Sequence, residues 1–367
     1  MRARDILSVA RSAAIALLIA AGAVGVAHAQ KAPAASEGAI AAVDVEPIDV
    51  EARAITSFER VGGSSQAYGR LEFRGGLVLS SPSAKFGGLS GLEIAADGRR
   101  FVAVSDESGW LSGEIVYDGV RMKGVTGVRV GPFVGLSGRP LDRKRDHDAE
   151  SVVLLEGTLG AGTLLVGFER NQRIGRFPIR DGLVGAPTGY LKLPPDAKRM
   201  KSNKGFEAVG VLRGGPLKGA IIAFAERFPT EQGNHTGWLW IGTADPQRLH
   251  VTDIGEFELT DVKSLADGGM ILLERRFRWL EGVRMRMRRI AAADVKAGAI
   301  LEGEVLIEAD LSHEIDNMEG LAIHRGAGGE TVLTLVSDDN FNHLLQRTLL
   351  LQFVLREPGV ATAAPPR

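Results

Sequence analysis

The sequence lacks several features that would assign it to a familiar class of protein. It contains no cysteine in 367 residues, which excludes disulfide bonds and thiolate metal sites. Neither sign of charge is in excess, with 44 Lys and Arg against 45 Asp and Glu. This balance argues against the broad basic field that holds nucleic acid or an acidic membrane surface.

The sequence signatures of several common active sites are missing as well. No serine lies in a Gly-x-Ser-x-Gly elbow, because the stretch Gly88-Leu89-Ser90-Gly91-Leu92 lacks the last glycine. No pair of histidines has zinc spacing, and no phosphate-binding glycine loop opens a helix. Glycine itself is abundant, since 47 of 367 residues is about 13%, against a usual value of roughly 7%. Such a surplus indicates many tight turns and short strands.

The first 29 residues are typical of a secretory signal peptide. Arg2 and Arg4 give a positive start, residues 13–26 are apolar, and residues 27–29 are small enough for cleavage. A membrane anchor is the alternative, but the apolar run is shorter than the roughly 20 residues that a spanning helix needs. The sequence therefore predicts a periplasmic or secreted protein with no membrane span after cleavage.

The rest of the chain is typical of one folded domain with flexible ends. Residues 30–55 are rich in alanine, proline and acidic residues without a sustained period, which predicts a flexible linker. Residues 357–367 predict a disordered tail in the same way. The segment 56–356 contains no proline-rich or serine-rich stretch that would divide it, so we expect a single domain and a monomer.

An internal repeat organises this domain. Each copy opens with an oxygen-bearing residue, followed by apolar side chains at the third and fifth places, which is the alternation of a β-strand. The openings are Ser90, Glu150, Glu207, Thr260 and Glu319, separated by 60, 57, 53 and 59 residues. The copy at Thr260 is the weakest.

Every copy continues into a second apolar strand that ends in a polar pair. The pairs are Ser105-Asp106, Glu169-Arg170, Glu226-Arg227, Glu274-Arg275 and Ser337-Asp338. Further strands follow within the copies. One of them, residues 283–290, alternates arginines with apolar residues, which is typical of a solvated outer strand.

Short strands in repeats of 53 to 60 residues predict an all-β fold, a β-propeller. The last copy leaves room for three strands, so we expect residues 68–80 to supply the missing strand and close the ring. The arithmetic gives five blades, or six if residues 56–88 contain another. A β-sandwich is the alternative.

Rotation about a central axis would bring equivalent residues to one mouth of the channel. The first and second strands of a copy are antiparallel neighbours, so the openings and the polar pairs meet at the same end. We expect a metal to be ligated there by Asp148, Glu150, Glu207, Glu319, Asp338 and Asp339, with Glu169, Glu226 and Glu274 nearby. Calcium prefers such an oxygen-rich site. The alternative is a structural ring in which acidic and basic residues pair between blades without binding anything.

Motifs at these positions resemble the bacterial family described as "esterase-like activity of phytase", the phytase-like domain. The motifs are Phe86-Gly87-Gly88-Leu89-Ser90-Gly91-Leu92, Val104-Ser105-Asp106, Asp148-Ala149-Glu150-Ser151, Asn203-Lys204-Gly205-Phe206-Glu207, Leu273-Glu274-Arg275-Arg276-Phe277, Asn317-Met318-Glu319-Gly320-Leu321 and Ser337-Asp338-Asp339-Asn340-Phe341. The resemblance extends over about residues 70–350. It implies hydrolysis of an ester or phosphoester, and it carries no set of catalytic residues over to this chain.

These observations predict an exported hydrolase that acts on a small ester or phosphoester with the help of Ca²⁺. We expect Glu207 or Glu150 to act as the base, and the cations Lys204, Arg170, Arg227 and Arg275 to bind substrate oxygens. Two alternatives remain at this stage: a non-catalytic propeller that binds a ligand or partner at the mouth, and a metal propeller that opens sugar lactones.

Overall fold

The computed structural model describes residues 44–63, 65–200 and 204–356. The predicted signal peptide 1–29, the linker residues 30–43 and the predicted tail 357–367 lie outside the described residues. Within the described part of the chain, no helix combines the length and the apolar character needed to cross a bilayer.

The regular elements of the described residues are almost all β-strands. The N-terminal strands are β1 (Glu46–Pro47), β2 (Glu51–Ile55), β3 (Ala67–Tyr68) and β4 (Leu71–Ser80). The first two repeats contain β5 (Leu89–Ile94), β6 (Arg100–Ser105), β7 (Gly109–Asp118), β8 (Arg121–Gly131), β9 (Ala149–Gly157), β10 (Ala161–Phe168), β11 (Arg173–Arg180), β12 (Leu183–Val184) and β13 (Gly189–Tyr190).

The remaining repeats follow the same order. They contain β14 (Phe206–Val211), β15 (Ile221–Ala225), β16 (His235–Trp240), β17 (Gln247–Val251), β18 (Glu258–Ser264), β19 (Met270–Arg278), β20 (Gly282–Ile290), β21 (Ile300–Leu301), β22 (Glu304–Ala309), β23 (Asn317–Arg325), β24 (Thr331–Asp338) and β25 (Thr348–Leu355). The helices are short: α1 (Lys144–His147) and two 3₁₀ turns, Pro195–Arg199 and Ala292–Asp294.

The strands assemble into five sheets, which are the blades of a β-propeller. Blade 1 has the order β1-β8-β7-β6-β5, blade 2 β12-β11-β10-β9, blade 3 β14-β15-β16-β17-β21, blade 4 β18-β19-β20-β22 and blade 5 β2-β4-β25-β24-β23. The innermost strands β5, β9, β14, β18 and β23 each pack against the next, and β23 returns to β5. The predicted five-bladed propeller is thereby confirmed, and the β-sandwich is excluded.

The hydrophobic core is divided among the interfaces between blades. Val102 and Val104 of β6 pack with Val152 of blade 2, whereas Ala103 between them packs with Leu350 of blade 5. Successive side chains of a strand point to opposite faces, so each apolar strand supplies two cores. This explains why the strands have nearly continuous apolar runs.

The ring is closed by the N-terminal strand β4, which pairs antiparallel with the last strand β25. The predicted closure by residues 68–80 is therefore confirmed. The prediction of a flexible linker over 30–55 is wrong in its second half. Glu46–Pro47 pairs with β8, and Glu51–Ile55 pairs with β4 as the outermost strand of blade 5. The backbone groups of this segment are satisfied by edge pairing, which needs little hydrophobic periodicity.

The inner strands approach each other closely near the axis. A Cβ atom on Gly91 would lie 2.9 Å from Cα of Ser151 and from the backbone nitrogen of Val152. A Cβ atom on Gly320 would lie 3.0 Å from the backbone nitrogen of Leu92. Small residues directly after the openings therefore let neighbouring blades meet at the channel.

The arginines of β20 differ from the prediction of a solvated outer strand. The side chains of Arg286 and Arg288 are 3% and 0% exposed, and both donate hydrogen bonds to Glu274. Arg286 also lies over the ring of Phe257 at 4.0 Å, on the side that faces blade 3. Because a buried charge needs a partner, this strand face forms an ion cluster between blades.

Candidate functional site

A β-bulge marks the opening of every repeat. The residue left out of the ladder is in turn Ser90, Glu150, Glu207, Thr260 and Glu319. A bulge frees a side chain from the alternation of its strand and aims it in a new direction. Four of these five residues line one central cavity, whereas Thr260 donates hydrogen bonds to neighbouring carbonyl groups.

A second ring of polar residues lies at the last paired residues of the first and second strands or just beyond them. Its members Asp106, Glu169, Glu226, Arg275 and Asp338 all line the same cavity. The predicted place of Glu274 in this ring is wrong. Strand register sets Glu274 opposite Leu259, so that its carboxylate joins the buried cluster between blades and Arg275 enters the mouth instead.

The cavity at this mouth has a volume of about 960 Å³ and a strong excess of acid. Among the described residues that line it are eight carboxylates (Asp106, Glu150, Glu169, Glu207, Glu226, Asp316, Glu319 and Asp338) and four basic side chains (Arg60, Lys204, Arg275 and Arg347). The mouth would carry four excess negative charges if these twelve groups were ionised and His343, which also lines the cavity, were neutral. Such a field favours either proton uptake or a bound cation.

Burial and mutual repulsion raise the pKa values of the acids in the mouth. Burial, with Asp148 and Glu226 nearby, raises the pKa of Glu169 to about 7. Burial, with Asp106 and Asp339 nearby, raises the pKa of Asp338 to about 7.

The pKa values of the three bulged glutamates are raised as well. Burial and neighbouring carboxylates raise the pKa values of Glu150 and Glu207 well above their ordinary value. Burial also raises the pKa of Glu319, although the guanidinium of Arg275 opposes the change.

Two overlapping groups of carboxylates are close enough to share an ion. Glu169 belongs to both, once with Asp148 and Glu150 and once with Glu207 and Glu226. Within each group the ligand atoms lie within 4.8 Å of one another. Neither Glu169 nor Glu226 is among the metal ligands predicted from the sequence, although the repeated polar pairs place both at the mouth.

The predicted metal ligands differ in how many ion pairs and hydrogen bonds they form within the protein. The Asp148 oxygens lie 2.9 Å from Lys144 Nζ and 2.6 Å from Arg170 Nε. The Asp339 carboxylate accepts hydrogen bonds from the backbone of Gly88 and from the hydroxyl of Thr348. These two carboxylates are therefore engaged in holding loops together.

The remaining predicted ligands line the cavity. Glu319 lies 2.9 Å from Arg275 Nε, and the amide of Asn317 bridges Glu319 and Asp338. Glu150 and Glu207, like Glu169 and Asp338, form no ion pair with a basic residue of the described chain, whereas Glu319 does. These four are thus the least compensated acids of the mouth.

The four predicted substrate-binding cations separate into two pairs. Lys204 lines the central cavity, with its Nζ atom 2.5 Å from Glu226 Oε2, and Arg275 lines it between Glu226 and Glu319. Arg170 lines a neighbouring pocket, and Arg227 is 63% exposed in another and pairs with Glu258. The structure therefore brings only Lys204 and Arg275 to the carboxylates of the mouth.

Comparison with known proteins agrees with this architecture. The family described as Phytase-like, "Esterase-like activity of phytase", matches residues 84–341. No curated protein gives a significant match.

Several solved structures are similar at low identity. An α-L-arabinofuranosidase from Podospora anserina is 11% identical, with a TM-score of 0.40 over 74% of this chain and 93% of that one. A protein of unknown function from Dyadobacter fermentans is 11% identical, with a TM-score of 0.38 over 78% and 84%. An intramolecular trans-sialidase from Ruminococcus gnavus is 10% identical, with a TM-score of 0.31 over 84% and 83%. Because the family match spans more than half of the sequence, this chain belongs to the Phytase-like family of "esterase-like activity of phytase".

Proposed function

We propose that this protein hydrolyses an ester or phosphoester in the central cavity, with a divalent cation held by the carboxylates of the mouth. The observation that carries the proposal is the position of Glu169 in two carboxylate groups whose oxygens lie within 4.8 Å of one another. The family description, esterase-like activity of phytase, supports the same class of reaction.

The donor set fits a hard cation. The groups contain only carboxylate oxygens, which Ca²⁺ prefers, and they are held at short distance by buried strand ends. Glu169 would hold the ion together with Glu150 or with Glu207, since the two groups overlap at Glu169 and none of these three acids forms an ion pair with a basic residue of the described chain. When bound, such an ion polarises a phosphoryl or carbonyl oxygen and lowers the pKa of a coordinated water.

Two cations of the chain would bind the oxygens of the substrate. Lys204 and Arg275 already face the carboxylates of the cavity. A guanidinium or ammonium fixed at this position stabilises the negative charge that develops on an ester oxygen in the transition state. Arg275 also has a rigid planar donor fork, which suits a phosphoryl group.

A bulged glutamate would act as the general base. The raised pKa values of Glu150 and Glu207 bring their proton affinity closer to neutral pH than that of an ordinary carboxylate. Glu207 is 8% exposed, so water has limited access to it from bulk solvent. We propose that whichever of Glu207 and Glu150 does not ligate the ion takes the proton of the attacking water.

We further propose that the protein is exported and acts as a monomer in the periplasm or outside the cell. The charged start, the apolar run 13–26 and the small residues 27–29 support export. Sequencing the N-terminus of the mature protein tests this, with cleavage after residue 29 as the expected result.

A titration and a hydrolase panel test the activity. Calorimetry with CaCl₂ should show saturable binding, and hydrolysis of 4-nitrophenyl acetate, 4-nitrophenyl phosphate or phytate should disappear with EDTA and return with Ca²⁺. Glu169→Gln should lose both properties, because it removes an anionic oxygen from both carboxylate groups. Glu231→Gln, an exposed glutamate that does not line the cavity, is the matched control. Hydrolysis that persists unchanged in EDTA would disprove the metal-assisted reaction, and binding without any turnover would favour the non-catalytic alternative.

A further inference from the structure

The central cavity has a second wall, which carries no charge. Phe277, Val283, Leu311, Leu344 and Leu345 line the same cavity as the carboxylates. We call this set the apolar wall. A pocket that combines apolar walls with a few convergent polar groups is the usual form of a small-molecule site, and about 960 Å³ is within the size range of such sites.

The apolar wall lies on the side of the mouth formed by blades 4 and 5. Phe277 and Val283 are directly opposite each other in the β19–β20 hairpin. Leu311 follows β22, and a Cβ atom on Gly282 of the hairpin would lie only 2.4 Å from it. Leu344 and Leu345 follow β24, and all three segments lie at strand ends that open on the mouth.

These side chains are unusually exposed for apolar residues. Leu344 and Leu345 are 96% and 81% exposed, Phe277 is 59% exposed, and Leu311 is 46% exposed. Trp279 and Leu280, at the tip of the same hairpin as Phe277, are exposed as well. Single exposed apolar residues are ordinary, whereas several exposed apolar residues that line one cavity indicate a binding surface.

The basic residues at this side of the cavity are already compensated. Arg347 Nη1 lies 2.7 Å from Glu314 Oε2, and Arg60 lies 3.8 Å from the same carboxylate. Arg60 also donates hydrogen bonds to the carbonyl groups of His313 and Ile315. The wall is therefore suited to an uncharged apolar group and offers little to a polyanion.

We propose that the apolar wall is the subsite for an alkyl or aryl group of the substrate, so that the preferred substrate is an ester or phosphomonoester with one large apolar substituent. The inference rests on the proposed function, because it places the scissile bond at the carboxylates and the apolar group against blades 4 and 5. A fully phosphorylated polyol has no group that would bury these leucines.

The proposed reaction is the hydrolysis of an ester or phosphoester bond by water. Water oxygen forms a bond to the carbonyl carbon or to phosphorus, and the bond from that centre to the alcohol oxygen breaks. The base accepts one proton from water, and the alcohol oxygen takes up a proton as it leaves. The products are an acid and an alcohol, one of which retains the apolar group.

A series of substrates tests the subsite. For 4-nitrophenyl acetate, butyrate and octanoate, below their aggregation limits and with Ca²⁺ present, we expect kcat/KM to rise with chain length by at least about tenfold from acetate to octanoate. Leu344→Ser/Leu345→Ser should bring the ratio of octanoate to acetate to within about twofold of one. The control Leu136→Ser makes the same change at an exposed leucine that does not line the cavity, and it should keep the wild-type ratio.

Failure of this inference is distinguishable from failure of the proposed function. Turnover with no preference for octanoate, or a preference that survives the double variant, overturns the subsite while hydrolysis stands. If no ester is hydrolysed, fluorescence titration with the neutral apolar dye prodan tests whether the apolar wall binds an apolar ligand. Dye binding that the double variant loses supports such a site. Dye binding that is unchanged in the double variant overturns it. A double variant that changes only sedimentation, or only binding to phosphatidylcholine vesicles, assigns the patch to a second copy or a membrane and likewise overturns the proposal.

Discussion

The carboxylate oxygens of Glu169 and Glu207, which come from neighbouring blades, lie within 4.8 Å of each other at the channel mouth. Two carboxylates at this distance repel each other unless one of them takes up a proton or both bind a cation. Glu169 follows the second strand of blade 2, and Glu207 is the bulged residue of blade 3. The pair therefore joins the two rings of the site, and the raised pKa values of both groups favour a proton that a bound cation would displace.

We expect Glu207→Gln to weaken cation binding while leaving the free energy of unfolding nearly unchanged. The amide removes the charge repulsion with Glu169 while keeping nearly the same size and hydrogen-bonding capacity, so the free energy of unfolding should change by less than about 1 kcal/mol. One anionic ligand is lost, so affinity for Ca²⁺ should fall at least about tenfold, because a hard cation binds a neutral amide oxygen less strongly than a carboxylate. Calorimetry and urea denaturation on the same preparation measure both. Equal Ca²⁺ affinity in the variant would place the cation elsewhere.

Asp338 makes the metal-free protein less stable as the pH rises. Its pKa is about 7 in the fold against 3.8 as a free side chain, so the folded state holds the proton more tightly. The contribution to stability is fully present below about pH 3.8 and is lost as the pH rises toward 7, with a size of roughly 4 kcal/mol. Denaturation in EDTA at intervals between pH 4 and 8 should show a smaller fall for Asp338→Asn than for the wild type. Parallel curves would contradict this.

The titration of His324 has the opposite effect on stability, because it makes the protein less stable as the pH falls. Burial, with Arg74 nearby, lowers its pKa to about 4 from an ordinary 6.5. The unfolded chain therefore takes up the proton first, and stability is lost as the pH falls from about 6.5 to 4, by roughly 3 kcal/mol. His324→Gln should remove this part of the acid destabilisation. The difference between the two unfolding free energies, measured from pH 7 to pH 4, should change in that window, and a constant difference would refute the assignment.

Gly91→Ala should destabilise the interface of blades 1 and 2 by about 2 kcal/mol, because the new methyl group meets backbone that cannot move aside, at 2.9 Å. Gly124→Ala is the control, since its Cβ would meet nothing closer than the Ala52 side chain at 3.9 Å. Urea denaturation of both variants checks the expectation. Equal midpoints would mean that the inner strands can separate without cost.

Arg288→Met should cost about 3 kcal/mol of unfolding free energy, because it leaves the buried carboxylate of Glu274 with one fewer compensating charge. Glu274→Leu/Arg288→Met removes both charges and should be more stable than the single variant. Arg284→Met, on the same strand with a side chain 32% exposed, should cost less than about 1 kcal/mol. Thermal and urea unfolding measure all three, and equal losses for Arg284→Met and Arg288→Met would argue against a buried cluster.

The periodic features of the chain could be predicted without coordinates. The five openings from Ser90 to Glu319 coincide with the five bulges, and the short last repeat predicted closure by an N-terminal strand. Both features depend only on the order of residues along the chain. Strand alternation is a local pattern, and the repeat spacing and the number of strands per repeat can be counted from the sequence.

What the tertiary structure decided is the direction and partnership of individual side chains. Register turns Arg275 into the mouth and Glu274 away from it, and it buries arginines that alternate as a surface strand would. Loop packing satisfies Asp148 and Asp339, while Glu150 and Glu207 remain without basic partners among the described residues. The sequence by itself determined the blades and the ring of acids. Only the packing of one blade on the next determined which acids are free to act, because each partner comes from a distant part of the chain.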